Sequence, residues 1–329
     1  MINSGALDSY DKSQITSDIE NRCFMCRVKL TNETSSQEHI FPKWILAKYN
    51  MFNQALTLPN KTFIPYQKWK VQCCTKCNNN RMSDIENQIK KSVSEGIESV
   101  KFLDEELIVW WLLKLYYAKI YKEAQLKKDV SKPELGRMIE KELFEKYNII
   151  FLYMRDLLNG FKFNDPKPFE LFIFKTNDET TYDYIDDIIS NTVYLRLDSI
   201  IFICCFNGFG IAQIQCQHLI DALNSLSHIH YYQAIELFSK ITYFNRLYGK
   251  EVEHSYSISE DSVTINSKIL KISEYEIFDF YKCNCLIKNL FELRGLITRA
   301  DLETNNLVTI ILKSNGETYT YQEIENGLY

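Results

Sequence analysis

Residues 23–42 read CFMCRVKLTNETSSQEHIFP, and residues 70–82 read KVQCCTKCNNNRM. Each stretch holds a Cys-x2-Cys pair, Cys23/Cys26 in the first and Cys74/Cys77 in the second. One such pair can hold one side of a tetrahedral Zn2+, and two separated pairs supply all four thiolates. A structural zinc of this kind would staple together a module too small to rely on its apolar core. Cys73 is a fifth thiol beside the second pair. Cys73 with Cys77 would also bind, although Cys74 with Cys77 leaves Asn78 better placed.

Between the pairs lies Glu38-His39-Ile40-Phe41-Pro42, and Asn78 follows the last cysteine directly. Each is a residue type that phosphodiester hydrolysis can use. A neutral imidazole can take a proton from water near pH 7. A carboxylate and an amide oxygen suit a hard divalent cation and leave positions open for phosphate oxygens. The opposing readings are a structural histidine, a solvated carboxylate and a helix-capping asparagine.

Over residues 20–98 the order of these features resembles the HNH nucleases, also called ββα-metal or His-Me finger enzymes. Their pattern is an acidic residue and a histidine on one strand, a second strand, and then Cys-x-x-Cys-Asn or Cys-x-x-Cys-His opening a helix. The resemblance implies His39 as general base and Glu38 and Asn78 as ligands of a catalytic Mg2+ or Mn2+, distinct from the zinc. It implies products with 5′-phosphate and 3′-hydroxyl ends. Arg81 lies where the family often has Lys or His and is a candidate for phosphate contact, with Lys43, Lys68, Lys70 and Lys76. One departure concerns an asparagine that many members carry on the second strand to hold the histidine. Trp69 stands there, and Asn60 is the substitute candidate.

The formal net charge of −5 looks unsuited to nucleic acid. Residues 20–100, however, carry 12 Lys and Arg against 7 Asp and Glu. Phosphate contact depends on nearby charge rather than on the sum over the chain. Composition is that of an ordinary globular protein, 46% apolar and 25% charged, with few Gly and Pro. Ten cysteines in such a chain read as thiols or metal ligands rather than disulfides. The start MINSGALDSYDKSQ has neither a basic cluster nor an apolar run, and Leu107–Ala118 and Ile200–Cys205 fall short of the roughly 20 residues that span a bilayer. A cytoplasmic protein without membrane contact is the expectation.

The expected class is α+β: a small zinc-stapled ββα-metal domain, then a larger mixed α+β domain with a β-rich C-terminus. We divide the chain into an N-terminal arm (1–20), the zinc-knuckled module (21–98), a mixed regulatory or oligomerisation domain (99–250) and a β-rich part (251–329). Ile85, Ile89, Val93 and Ile97 recur at helical spacing after the last cysteine pair. A core helix should begin near Asp104, and others should cover Pro133–Tyr147 and His230–Tyr248. PFELFIFKTN and SIIFICCFNGFGIAQIQC read as buried strands, and Asn315-Gly316 reads as a hairpin turn. Cys204-Cys205 and Cys283-Asn-Cys285 read as structural thiols, and His228-Ile-His230 as a polar loop before a helix. No Walker A loop, dinucleotide fingerprint or Gly-x-Ser-x-Gly elbow occurs.

The functional expectation is a metal-dependent endonuclease acting on DNA more than RNA, working as a homodimer or with an activating protein partner. By its layout it resembles effectors of phage defence or mobile elements. The rival readings are a non-catalytic zinc knuckle that binds nucleic acid or protein, and an RNA-cleaving enzyme of the same fold.

Overall fold

Ser35–His39 forms a strand, β1, along which exposure alternates until His39 is buried at its end. Pro42 then turns the chain into a short helix, α1 (Lys43–Lys48), which includes Trp44. A small hairpin follows, β2 (Ala55–Thr57) with β3 (Phe63–Pro65), and then β4 (Lys70–Cys74) returns beside β1. The β1–β4 pair is antiparallel, in a register that sets Ser36 opposite Cys73, Glu38 opposite Val71 and His39 opposite Lys70. Two helical pieces leave the end of β4, α2 (Thr75–Asn79) and α3 (Arg81–Glu95). The row of apolar residues expected on this helix is present at Ile85, Ile89 and Val93, but α3 ends before Gly96, whose φ of 104° a side-chain-bearing residue rarely adopts. Ile97 instead opens a separate turn, Ile97–Lys101.

This computed structural model describes residues 19–58, 60–79, 81–177, 179–259, 262–295 and 309–327. The arm expected over residues 1–20 therefore lies outside the described residues except at its end. The described chain forms two compact units of mixed helix and strand. One holds the residues up to Ser94 with Leu103–Asp165 and His254–Asn266, and the other holds Glu95–Phe102, Pro166–Glu253 and the described residues from Ser267 onward.

The core of the first unit is α4 (Glu105–Glu123). Asp104 caps it by accepting from the Glu106 amide at 2.9 Å, and acidic residues in the first turn with Lys122 in the last suit the helix dipole. Trp110, Trp111, Tyr116, Tyr117 and Tyr121 are buried around its whole circumference. Two further helices follow, α5 (Lys141–Glu145) and α6 (Asn148–Leu158), and Trp110 Nε1 donates to the Met154 carbonyl of α6 at 3.0 Å. The long helix expected over Pro133–Tyr147 is not formed. Pro133–Leu135 makes one 3-10 turn, Gly136 ends it with a φ of 85°, and helix resumes only at Lys141. Trp44, expected in the core or on a strand, lies on α1 and stacks on Trp111 with centroids 6.3 Å apart.

Arg27, directly after the first cysteine pair, is 3% exposed and sits among four aromatic rings. Its guanidinium carbon lies 4.7 Å from the centroid of Phe151, 4.8 Å from Tyr121, 5.2 Å from Phe144 and 5.7 Å from Tyr117. It also donates to the Tyr117 hydroxyl. Nε and Nη1 have no hydrogen-bond partner among the described residues, so ring faces supply much of what replaces water. Arg27 thus ties the cysteine-bearing turn to α4, α5 and α6.

In this unit β5 (Lys162–Phe163) pairs in parallel with Thr264 and Ile265. The second unit is built on an antiparallel sheet of β6 (Glu170–Lys175), β7 (Tyr182–Asp187), β8 (Thr192–Leu197) and β9 (Ile200–Cys205), in the order β6-β9-β8-β7. Every residue of β8 and β9 is buried, which accounts for the unbroken apolar run of β9, while in β8 the buried Thr192 and Arg196 are satisfied by hydrogen bonds to Thr242 Oγ1 and Asn177 Oδ1. The strand expected to continue through Gly210 stops at Cys205, because Gly210 adopts a φ of 77° and Ile211 starts a helix, α7 (Ile211–Asn224). The next helix, α8 (Tyr231–Arg246), packs on β8, β9 and α7 and is capped by His230 with Gln233.

Strands β10 (Tyr248–Ile258) and β11 (Val263–Glu274) each contribute to both units, and α9 (Phe280–Glu292) packs on α8. At Asn315-Gly316 a tight turn forms, with Gly316 at a φ of 86° and the Lys313 amide bonded to the Glu317 carbonyl at 2.7 Å. The expected hairpin around it reduces to one bridge between Leu312 and Thr318 among the described residues. Its second arm is a helical turn, α10 (Tyr321–Glu325), because Thr320 and Glu323 form a capping box. Among the described residues no helix is long and apolar enough to cross a membrane.

Replacing Arg27 by Ala should cost about 2–4 kcal/mol of stability, since it strips a buried cation from its rings and leaves a cavity. Arg27→Lys should recover less than half, because a compact ammonium cannot spread over four ring faces. Urea unfolding of the three proteins would measure this, and a loss below about 0.5 kcal/mol in Arg27→Ala would show that the cage carries no load.

Candidate functional site

The two cysteine pairs meet. The Sγ atoms of Cys23, Cys26, Cys74 and Cys77 all lie within 4.8 Å of one another, the single group of its kind among the described residues. Cys26 and Cys74 are 3.8 Å apart. Zinc–sulfur bonds of about 2.3 Å at tetrahedral angles put neighbouring sulfurs about 3.8 Å apart, so the cluster has the size a zinc ion needs. Backbone bonds shape both turns. The Arg27 amide donates to the Cys23 carbonyl at 2.8 Å, the Phe24 amide to the Gln72 carbonyl of β4 at 3.0 Å, and the Cys77 amide to Cys74 Sγ at 3.4 Å.

Cys73 is the neighbour that sequence alone left in competition. Its Sγ lies 3.8 Å from Cys23, yet it does not join the mutually close group. Crowding five thiols favours one thiolate. Cys23 is pushed down, first by its hydrogen bond with Cys26, while Cys26, Cys73, Cys74 and Cys77 are pushed up, each first by bonding to Cys23. A divalent cation is what would let four thiols of such a cluster ionise together.

The ribbon also gathers the polar residues singled out above. Ser36 and Glu38 share one face of β1, and Gln37 and His39 the other. Asn78 Nδ2 donates to Ser36 Oγ at 3.1 Å, and Ser36 Oγ donates to the Cys73 carbonyl at 3.1 Å. The amide of Asn78 is thereby held on the Glu38 side of β1, with Oδ1 not used in that bond. Asn78 is the fourth residue of α2 rather than the residue that opens it, because helix begins at Thr75 as soon as β4 ends. Its expected place at a helix start is therefore corrected.

His39 is 8% exposed at the end of β1, directly across from Lys70. Its imidazole pKa is pushed down to about 4, by burial first and then by Lys70 and Lys43, with Glu38 pulling the other way. The ring is therefore neutral across the physiological range and can accept a proton. Lys43, at the start of α1, is exposed, and its charge reaches His39 together with that of Lys70. Lys76 is exposed on α2. Arg81 opens α3, and its side chain lies outside the described residues.

The strongest feature was missed in the sequence. Lys114, in the middle of α4, has no exposed surface and donates to Glu38 Oε1 at 2.5 Å, Glu86 Oε1 of α3 at 2.8 Å and the His39 carbonyl at 3.2 Å. Burial alone would lower its pKa. Glu86 and Glu38 outweigh that effect, so the pKa is raised and the side chain stays charged. The available signal was a single lysine inside the apolar run Trp110–Tyr117, since an unpaired ammonium is not tolerated there.

Asn60, the substitute for the missing family asparagine, does not serve His39. Its Nδ2 donates to the Lys127 carbonyl at 2.8 Å and its Oδ1 accepts from the Thr62 amide at 3.1 Å, so one end is spent in its own turn and the other on distant backbone. Trp69 is buried, and its backbone carbonyl accepts from the Ile40 amide at 3.1 Å. The residue after His39 is thus held by main chain.

For the implied second metal, the donor chemistry fits. Glu38 retains a carboxylate oxygen beyond the one bonded to Lys114, and Asn78 retains its amide oxygen, both suitable for a hard cation. The other candidate clusters have structural partners. His230 caps α8 and bonds Glu325 at 3.0 Å, while Cys204, Cys205 and Cys283 are buried in the second unit. Comparison with known proteins adds no relative: no family model matches the chain, and no curated protein or solved structure does.

Purified chain should carry about one zinc per molecule. Cys26→Ser and Cys77→Ser should each lose most of it by elemental analysis, and Cys73→Ser should keep it. Zinc loss on Cys73→Ser with retention on Cys74→Ser would reverse the ligand choice.

His39 should titrate near pH 4 in the zinc-loaded protein, followed by imidazole NMR with His39→Gln for assignment. The sign for stability follows. An unfolded His39 binds its proton at an ordinary value near 6.5 and the folded one only near 4. Its contribution is therefore fully present above pH 6.5 and lost as pH falls from there toward 4. A folded-state pKa at or above 6.5 would contradict the burial described here.

Proposed function

We propose that this chain is a metal-dependent endonuclease of the HNH type that hydrolyses DNA. In this reading β1, β4 and the α2–α3 segment form the ββα-metal domain, stapled by a structural Zn2+ on Cys23, Cys26, Cys74 and Cys77. The observation that carries the proposal is the junction of β1 with α2. Asn78 bonds Ser36 on the face that bears Glu38, one residue before a buried neutral His39.

The residues divide the chemistry between them. Neutral His39 takes a proton from the attacking water at a ring nitrogen, and Lys70 and Lys43, whose charges reach the ring, favour an anionic phosphate beside it. Glu38 and Asn78 would hold Mg2+ or Mn2+, which supplies stabilisation of charge on the leaving 3′ oxygen. Lys76 and Arg81 are further candidates for contact with the phosphate backbone. The excess of basic residues between 20 and 100 supports nucleic acid as substrate. We take DNA in preference to RNA from the family resemblance. One such site cuts one strand, so a double-strand break would call for a homodimer or a partner. Ten cysteines, none joined to another by a disulfide, favour a reducing, cytoplasmic setting.

A second reading has one observation in its favour. Glu38 is already paired with the buried Lys114, as a purely structural carboxylate would be. On that reading the module is a non-catalytic zinc knuckle that binds nucleic acid or protein.

The discriminating assay incubates zinc-loaded protein with supercoiled plasmid and with RNA, in Mg2+ or Mn2+. Native chain should nick the plasmid, and His39→Ala and Asn78→Ala should each slow nicking at least about 100-fold with zinc retained. Equal nicking by native and His39→Ala protein would remove His39 as the base. Cleavage of RNA alone would move the substrate class.

A further inference from the structure

We infer that Lys114 and Glu86 are positioning residues of the candidate site: the ammonium pins Glu38 and the His39 carbonyl to α4, and Glu86 takes up enough of its charge for Glu38 to remain a cation ligand. The inference rests on the endonuclease reading and adds two residues that lie outside its motif.

Lys114 reaches three acceptors at once. Two belong to consecutive residues of β1, the Glu38 carboxylate and the His39 carbonyl, and the third is the Glu86 carboxylate on α3. The strand end is therefore held on one side by Lys114 and on the other by the Trp69 carbonyl, which accepts from Ile40. Trp69 occupies the position of the asparagine that holds the histidine in many HNH nucleases. Lys114 and the Trp69 main chain hold the same segment without that side chain.

Charge explains why a second carboxylate is present. A lysine paired with Glu38 alone would cancel the charge on which a divalent cation depends. With Glu86 the cluster carries one positive and two negative charges, so one net negative charge remains. Lys114 is wholly enclosed, yet the side chains of Glu38 and Glu86 keep 14% and 21% of their surface open. The remaining negative charge is thus at the rim, where an ion can reach it. A buried ion triad serving only as a core tether has no need of this balance, because apolar residues of similar volume stabilise a core as well or better.

The test is a Mn2+ titration of the zinc-loaded full-length chain by electron paramagnetic resonance, with zinc content and thermal unfolding recorded for every variant. Native protein should bind one Mn2+ that Asn78→Ala weakens. Glu86→Gln keeps shape and removes charge, and should weaken Mn2+ binding about tenfold while leaving zinc unchanged. Unaltered Mn2+ affinity in Glu86→Gln, with native binding intact, overturns the role of Glu86 and leaves the endonuclease reading standing. Absence of an Asn78-dependent Mn2+ in native protein overturns both. If Glu86→Gln does not fold, Lys114→Met/Glu86→Met takes its place, since it removes the two charges together and restores the same net charge through Glu38. It should hold Mn2+ within about threefold of native and nick plasmid at least about tenfold more slowly. Native nicking rates in that variant would overturn the pinning role.

Discussion

Four sulfur atoms from turns 48 residues apart in sequence converge within 4.8 Å, and the geometry of the site follows from that closure. A two-stranded ribbon with five paired positions is marginal in water by itself. Joining the turn before β1 to the turn after β4 holds both ends of the ribbon in register. Register decides function here, because a slip of one residue would exchange the face carrying Ser36 and Glu38 with the face carrying Gln37 and His39. Asn78 is held on the Glu38 side by the same closure, being one residue beyond Cys77 and bonded to Ser36. A metal ion in the cluster would add its binding free energy to folding and supply the charge that lets all four thiols ionise.

Two buried cations connect this small ribbon to the helical layer of its own unit, by different physics. Arg27 enters a cage of four aromatic rings, where ring quadrupoles and a hydroxyl stand in for water. Lys114 runs in the opposite direction, from the centre of α4 to β1, and meets two carboxylates and a carbonyl. A planar, weakly hydrated guanidinium suits the rings, and a compact ammonium suits the oxygens. With these anchors, the cysteine turn and the strand end are each fixed to α4, so the polar site sits on rigid elements rather than on a loop.

The local parts of this arrangement were legible in the sequence, and the long-range parts were not. Cysteine spacing pointed to a four-thiol group, because ligand geometry is nearly independent of the fold around it, but it left Cys73 in competition with Cys74. The capped core helix at Asp104 and the buried run of β9 followed from patterning that tertiary contacts reinforce, whereas β6, also read as buried, is a strand buried only at Glu170 and Phe174. Patterning failed where a backbone turn decided. Gly136 interrupts the helix expected after Pro133, Gly210 converts an apparent strand into α7, and the Thr320 capping box makes Tyr321–Glu325 helical despite its β-prone tyrosines. The choice of Cys74 over Cys73 in the mutually close group, and the partners of Lys114, 76 and 28 residues away at Glu38 and Glu86, depend on pairing that no local window contains.

The central claim is that a thiolate cluster organises a separate oxygen-donor cation site beside a neutral imidazole. Anomalous diffraction from crystals grown with Zn2+ and Mn2+, recorded on either side of each absorption edge, tests it most directly. The expected result is a zinc peak bonded to Cys23, Cys26, Cys74 and Cys77, and a manganese peak bonded to Glu38 and Asn78 oxygens next to His39. Zinc in its cluster with manganese absent from Glu38 and Asn78 would contradict the claim and leave a zinc-stapled binding module.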